Sequence, residues 1–325
     1  MKVGLYSITF LGVWYRGRAL TLEELIDRAR EYGYDGIEID GKRPHGNPLD
    51  LPPERCRALR RRADAAGVDI YAVAANNDFS SPIPEHRESQ LAYVRDLIRM
   101  SADLGAPTLR MFAAWPGVTL SPSGGRYDIA RRVWATTHEE PTDDRPWDRC
   151  RDGFAECVRW AQEAGVTLAL QNHPPIINTY HDMLRMIAEV GSPALQACLD
   201  APLAQKQGVA DLRQAVHDVG PRQVLSHFGG EYDEDADGRV RGSVRLPNGQ
   251  LGPESFYEPF VSGLLETRYE GYIGYELCHP LPRVNGDTVG LEFAEKNARL
   301  AAKYMRATLA AARARTTVAT TSDVG

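Results

Sequence analysis

Apolar residues recur along this chain with two alternating periods. Short runs rich in β-branched and aromatic residues, KVGLYSITF, YDGIEID, VDIYAVAA, APTLRMFAA, VTLALQN, LQACLD, QVLSHF and YIGYELC, predict strands. The segments between them predict helices, several with apolar residues at i, i+3, i+4 and i+7. LTLEELIDRAREYG opens with Thr21 and Glu24 in capping-box spacing and stops at Gly33. PPERCRALRRRADAAG begins with prolines and ends with glycine. EHRESQLAYVRDLIRMSADLG, CRDGFAECVRWAQEAG, YHDMLRMIAEVG, VADLRQAVHDVG, ESFYEPFVSGLLETRY and LEFAEKNARLAAKYMRATLAAARAR follow. Eight strands, each followed by a helix, predict the α/β class and one (β/α)8 barrel over residues 1–315. An open doubly wound sheet usually has five or six strands, and no G-x-G-x-x-G follows the first strand here. The tail 316–325 has no apolar period and is expected to be disordered.

A barrel of this kind gathers its chemistry where the strands end, because those ends and the loops after them converge on one rim. Strand two ends in Glu38 and Asp40, and strand three runs into Asn76, Asn77 and Asp78. Strand four carries Arg110 and leads to Trp115, and strand five ends in Gln171, Asn172 and His173. Strand six ends in Asp200, strand seven in His227, and strand eight in Glu276 with His279 just beyond. A lone Asp after a strand is more often a helix N-cap, and a lone His more often a hydrogen-bonded structural residue. Gln171, Asp200, His227 and Glu276 on four successive strands are different, since all can point at one spot. Three oxygen ligands and one imidazole suit a single divalent ion, Mn²⁺ or Mg²⁺ ahead of Co²⁺ or Zn²⁺.

The order LALQNH, ACLDAP, LSHFGG, GYIGYEL resembles the xylose-isomerase-like barrels, the sugar phosphate isomerase/epimerase group, across nearly the whole chain. The resemblance implies one divalent metal, with Asp200, His227 and Glu276 at ligand positions and Arg110 as a rim arginine. Gln171 stands where those barrels have Glu. In the epimerases of the group, that Glu and the final Glu move protons on opposite faces of the substrate. An amide cannot do this at neutral pH. His173, two positions on, is the candidate base in its place, together with Glu276. Arg110, Trp115, Asn77 and His279 are expected to contact a sugar or its apolar substituent.

Extra sequence follows strand four (114–147) and strand seven (229–253), where lids, substrate walls or subunit contacts arise. These long loops, the QNH strand end and YELCHP are similar to one branch of the group, the large subunits of C-glycoside deglycosidases. That likeness implies lyase chemistry on 3-keto C-glycosides and a small partner subunit, in a homo- or hetero-oligomer. A non-catalytic metal- or sugar-binding barrel subunit is the alternative from another class, and the Gln171 replacement is its main support. A three-metal repair nuclease, which needs more histidines at the strand ends, fits poorly.

Composition changes little. A net charge of −6 gives no reason to expect nucleic acid. No apolar run approaches the roughly 20 residues of a membrane span, and MKVGLYSITF lacks a secretory layout. The five cysteines are scattered, as expected for reduced thiols in the cytoplasm.

Overall fold

The computed structural model describes residues 1–121, 124–139, 145–245, 251–253 and 256–322, with side chains at all but 244, 245, 251–253 and 316–322. Eight parallel strands close into a barrel: β1 (Lys2–Tyr6), β2 (Gly36–Asp40), β3 (Asp69–Ala74), β4 (Thr108–Met111), β5 (Thr167–Gln171), β6 (Leu195–Cys198), β7 (Gln223–Gly229) and β8 (Tyr272–Glu276). Each strand pairs with its neighbours in sequence, and β8 returns to β1 with Lys2 opposite Tyr272 and Leu5 opposite Tyr275. The helices outside are α1 (Leu22–Tyr32), α2 (Pro53–Ala66), α3 (Pro84–Leu104), α4 (Pro146–Ala164), α5 (Tyr180–Val190), α6 (Val209–Val219), α7 (Tyr257–Glu266) and α8 (Leu291–Ser322). The expected barrel is therefore formed. The tail for which disorder is expected, 316–325, lies outside the described side chains.

Local chemistry sets these boundaries. Thr21 and Glu24 form the expected reciprocal capping box on α1, and Gly33 ends that helix in the left-handed region at φ 78°. The main core lies between barrel and helices, where Leu25, Leu59, Leu97 and Phe154 meet Leu5, Ile37 and Leu168. A smaller cluster inside the barrel centres on Tyr71, which stacks on Tyr272 at a ring separation of 4.0 Å. A Cβ at Gly4 or Gly274 would lie within 2.5 Å of the Tyr71 side chain, so these glycines make room for the ring that fills the barrel's lower end. The rim at the C-terminal strand ends is left to the loops.

The two insertions behave differently. The first forms a hairpin (Thr119–Ser121 with Gly124–Arg126) and a helix (Asp128–Thr137). It roofs the rim: Gly125 N–H donates to Val13 O at 2.8 Å, Tyr127 OH to Cys278 O, and Trp134 Nε1 to Ser80 Oγ at 3.0 Å. The second forms an antiparallel sheet of Glu231–Glu234, Val240–Arg245 and Leu251–Pro253. It packs outward on α8, with Lys296 on Asp233, Lys303 on Glu234, and Asn297 Oδ1 accepting from Tyr232 N–H. Among the described residues, only Gly229 and Gly230 of that insertion line the rim cavity. Charged residues pairing across to the last helix explain why it turns away from the rim.

Candidate active site

In β2, Ile37 and Ile39 join the core between sheet and helices, and the alternating positions Glu38 and Asp40 meet polar partners inside the barrel. Glu38 belongs to a closed ring of five side chains. Glu38 Oε1 accepts from Arg110 Nε at 2.8 Å, and Arg110 Nη1 donates to Gln171 Oε1 at 2.8 Å. Gln171 Nε2 donates to Asp200 Oδ2. Asp200 Oδ2 lies 3.1 Å from His227 Nδ1, and His227 Nε2 lies 2.6 Å from Glu38 Oε2. All five residues are buried, from strands two, four, five, six and seven. A second cluster sits beside it, in which Asp40 accepts from Tyr6 OH at 2.6 Å and Asn76 Nδ2 at 2.8 Å, with Lys42 Nζ 3.4 Å away.

Burial alone would push the Glu38 and Asp200 carboxyls up, but the facing His227, with Arg110, holds both below the usual range. Burial would likewise lower His227, yet Glu38 and Asp200 raise it well above the ordinary imidazole value. With carboxylates on both nitrogens, the site favours the protonated form of His227. At Glu276 burial outweighs the pull of His227 and Arg110, and its carboxyl is raised. Asp200 is no helix cap: no side-chain capping bond forms to the short turn after it. Its Oδ1 instead accepts the His227 backbone N–H at 2.7 Å.

Above the ring opens a cavity of about 830 Å³. Of the residues proposed from sequence, Arg110, Trp115, Gln171, His173, Glu276 and His279 line it. Asp200 and His227 lie beneath, fully buried. Asn77 is not in the wall. Its amide is spent on the Phe112 backbone, donating to O at 2.6 Å and accepting from N–H at 3.2 Å, which ties β3 to β4. Its neighbour Asn76 takes the wall position. Trp115 stacks on Phe112 at 4.9 Å, and both meet the His173 ring edge-on at 5.0 and 4.9 Å. Trp14, Tyr127 and Trp134 complete an aromatic wall. His279 Nε2 is 2.9 Å from Glu231 Oε1.

His173 Nδ1 lies 2.5 Å from the Pro174 carbonyl. A carbonyl only accepts, so Nδ1 carries the proton and Nε2 keeps its lone pair. Burial lowers this imidazole to about 4, so it is neutral at pH 7. Glu38, Asp40 and Asn76, which the sequence places at strand ends, carry no predicted role, and Tyr6 is not singled out by it. The available signal was β2 itself, GIEID, whose charged residues alternate with isoleucines at positions that must face the barrel interior.

Of the four expected ligands, the structure brings two, Asp200 and His227, within reach of one ion. The group of described residues able to hold a metal is Cys198, Asp200 and His227. Asp200 Oδ2 and His227 Nδ1 are 3.1 Å apart, close to the separation of about 3 Å between adjacent ligands of one ion. Were His227 to bind an ion through Nδ1, Glu38 on Nε2 would be the outer carboxylate that orients it, and the ion would displace the Nδ1 proton. Cys198 lies 3.6 Å from Asp200 Oδ1, but burial pushes its thiol up to about 12, so it is no thiolate. Glu276, outside that group, opens on the cavity from the next strand. Gln171 departs from the expected ligand set, since its nitrogen and not its oxygen faces Asp200.

A model of the xylose isomerase-like TIM barrel matches residues 26–308. Over 293 residues the chain is 24% identical to fructoselysine 3-epimerase of Shigella flexneri, covering 85% of this chain and 90% of that protein. Over 116 residues, 34% of this chain and 32% of the other, it is 33% identical to the 3'-dehydrocarminate deglycosidase alpha subunit of a Microbacterium species. The crystal structure of D-psicose 3-epimerase in the presence of D-fructose superposes with a TM-score of 0.68 at 16% identity, over 95% of this chain and 99% of that one. That last likeness is one of fold.

Proposed function

This chain belongs to the xylose isomerase-like TIM-barrel family, and we propose that it is an enzyme that removes a proton from the carbon next to a sugar carbonyl. The observation that carries this reading is one cavity holding two groups able to accept that proton. These are the neutral imidazole of His173 and the carboxyl of Glu276, above a buried floor of Arg110 and Gln171. The epimerase relatives support sugar as the substrate class.

Asp200, His227 and Glu276 would hold the metal, with Mn²⁺ expected first and Mg²⁺, Co²⁺ or Zn²⁺ as alternatives. When bound, the ion would polarise the carbonyl and steady the negative charge that develops on proton removal. The chain's own groups do the rest. His173 Nε2 accepts the proton, held in its tautomer by the Pro174 carbonyl. Arg110 directs a permanent positive charge at the floor of the cavity, fixed by Glu38 below it. Trp115 and Phe112 exclude water beside His173.

Gln171 favours a second reading over simple epimerisation. An epimerase returns a proton to the opposite face of the same carbon, and the strand-five side chain cannot supply one. In the lyase reading, a 3-keto C-glycoside loses the proton beside its ketone. The aglycone leaves with the bonding pair and takes up a proton, and the sugar keeps a carbon–carbon double bond. The aromatic wall suits an apolar aglycone, and the partial match to a deglycosidase subunit points the same way. The small partner subunit belongs to this reading. Incubating the metal-supplemented protein in deuterated water with ketohexoses and 3-keto glycosides tests it. Deuterium entering the carbon beside the carbonyl, followed by NMR, is expected with at least one substrate, and none across the panel overturns it.

A further inference from the structure

We propose that strand five of this barrel gives the site a hydrogen-bond donor in place of a metal ligand, because Arg110 holds the Gln171 carboxamide with its oxygen toward the guanidinium and its nitrogen toward Asp200. The inference rests on the metal-dependent reading above and concerns how the ion would be held.

Guanidinium nitrogens only donate, so the Gln171 atom 2.8 Å from Arg110 Nη1 must be the oxygen. Arg110 has no freedom to turn aside. Its Nε is bound to Glu38 at 2.8 Å, and its guanidinium lies over the Tyr6 and Phe112 rings at 4.7 and 5.2 Å. The other end of the amide meets the Asp200 carboxylate, which only accepts. Reversing the amide would set donor against donor at Arg110 and oxygen against oxygen at Asp200. Two attractive contacts would become two repulsive ones in a buried site, where neither could be relieved by water. An amide NH₂ has no ligand to offer. The ion then keeps Asp200, His227 and Glu276 as protein ligands, with the fixed charge of Arg110 nearby, and is expected to be held loosely and to exchange. A carboxylate at position 171 would keep its contact with Arg110 and present its second oxygen toward Asp200.

The test is a Mn²⁺ titration of the full-length protein, read by electron paramagnetic resonance of the free ion, on the native chain, Gln171→Glu and Gln171→Leu. Gln171→Met serves the same arm should the leucine variant fold poorly. Gln171→Glu is expected to bind on the order of 10²-fold more tightly, and Gln171→Leu to stay within about threefold of the native chain. In ¹⁵N-labelled protein the Gln171 side-chain NH₂, identified by its absence in the variants, is expected to exchange slowly with solvent. A loss of about tenfold or more in Gln171→Leu would overturn the donor assignment and leave the metal-dependent reading intact. Uptake by Gln171→Glu alone, with none by the native chain at millimolar Mn²⁺, would overturn the metal reading of the native chain and leave the donor assignment standing.

Discussion

Glu38 and His227, 189 residues apart in sequence, meet at 2.6 Å on the barrel floor with no solvent exposure at either side chain. The contact makes Glu38 a positioning residue. It takes Nε2 of the ring, so that Nδ1 is the nitrogen turned to Asp200, and its other oxygen anchors Arg110. Removing one partner of a buried ion pair typically costs about 3–5 kcal/mol, because the remaining charge is stranded. Glu38→Ala is therefore expected to lose stability on that scale in urea denaturation. Glu38→Gln, which keeps the shape, should lose less stability but release His227 from its orientation and weaken Mn²⁺ binding. A Glu38→Ala midpoint equal to the native one would remove Glu38 from this role.

The first insertion is expected to matter for turnover and the second not. Trp115 walls the cavity, whereas the Asp235–Arg239 turn of the second insertion is held on α8, where Lys303 Nζ donates to Gly238 O at 3.1 Å. Trp115→Ala should raise KM for any substrate with an apolar substituent while the protein keeps its circular dichroism. Shortening the chain across 235–239 should leave kcat/KM unchanged. The opposite pattern would mean that the outer sheet, not the roof, shapes the pocket.

Much of this was legible in the sequence, and the failures share a cause. The barrel could be read because a period of two for strands and 3.6 for helices is written locally, with Thr21–Glu24 and Gly33 marking a helix's ends. The rim residues could be read because strand ends converge in such a barrel. Which way a side chain turns at a strand end could not. Asn76 and Asn77 are adjacent and chemically identical, and only the position of the Phe112 backbone decides which one is consumed. Gln171 could be recognised as a departure, but its amide orientation depends on Arg110, 61 residues away. Glu38 was visible as a strand-end acid and went unassigned because its partner lies on β7.

His45 offers a pH test away from the rim chemistry. Its Nε2 lies 2.9 Å from the Leu20 carbonyl, its Nδ1 has no partner, and burial lowers its pKa from the ordinary value. A histidine whose pKa is lowered on folding binds its proton more readily in the unfolded chain. Stability is thus complete above the unfolded value of about 6.5 and falls as pH drops below it. His45→Gln, which can still donate to Leu20, removes this contribution. The variant's melting temperature should decline less steeply than the native one between pH 6.5 and 5. Parallel declines would show that His45 does not titrate differently on folding.

The assignment of the base rests on His173, which packs edge-on between Phe112 and Trp115 with Nε2 unprotonated. A positioned general base contributes about 10² to 10⁴-fold in rate. His173→Ala is expected to lose turnover on that scale and to abolish exchange of the substrate proton with deuterated water. Its Mn²⁺ affinity should stay unchanged, because the ring of Glu38, Arg110, Gln171, Asp200 and His227 closes without His173. Since burial holds the imidazole at about 4, the native enzyme should also show no loss of this base as pH falls through 6.5. Near-normal exchange in His173→Ala would move the role to Glu276, the other proton acceptor on the cavity wall. The lyase reading would then lose the one-sided base on which it depends.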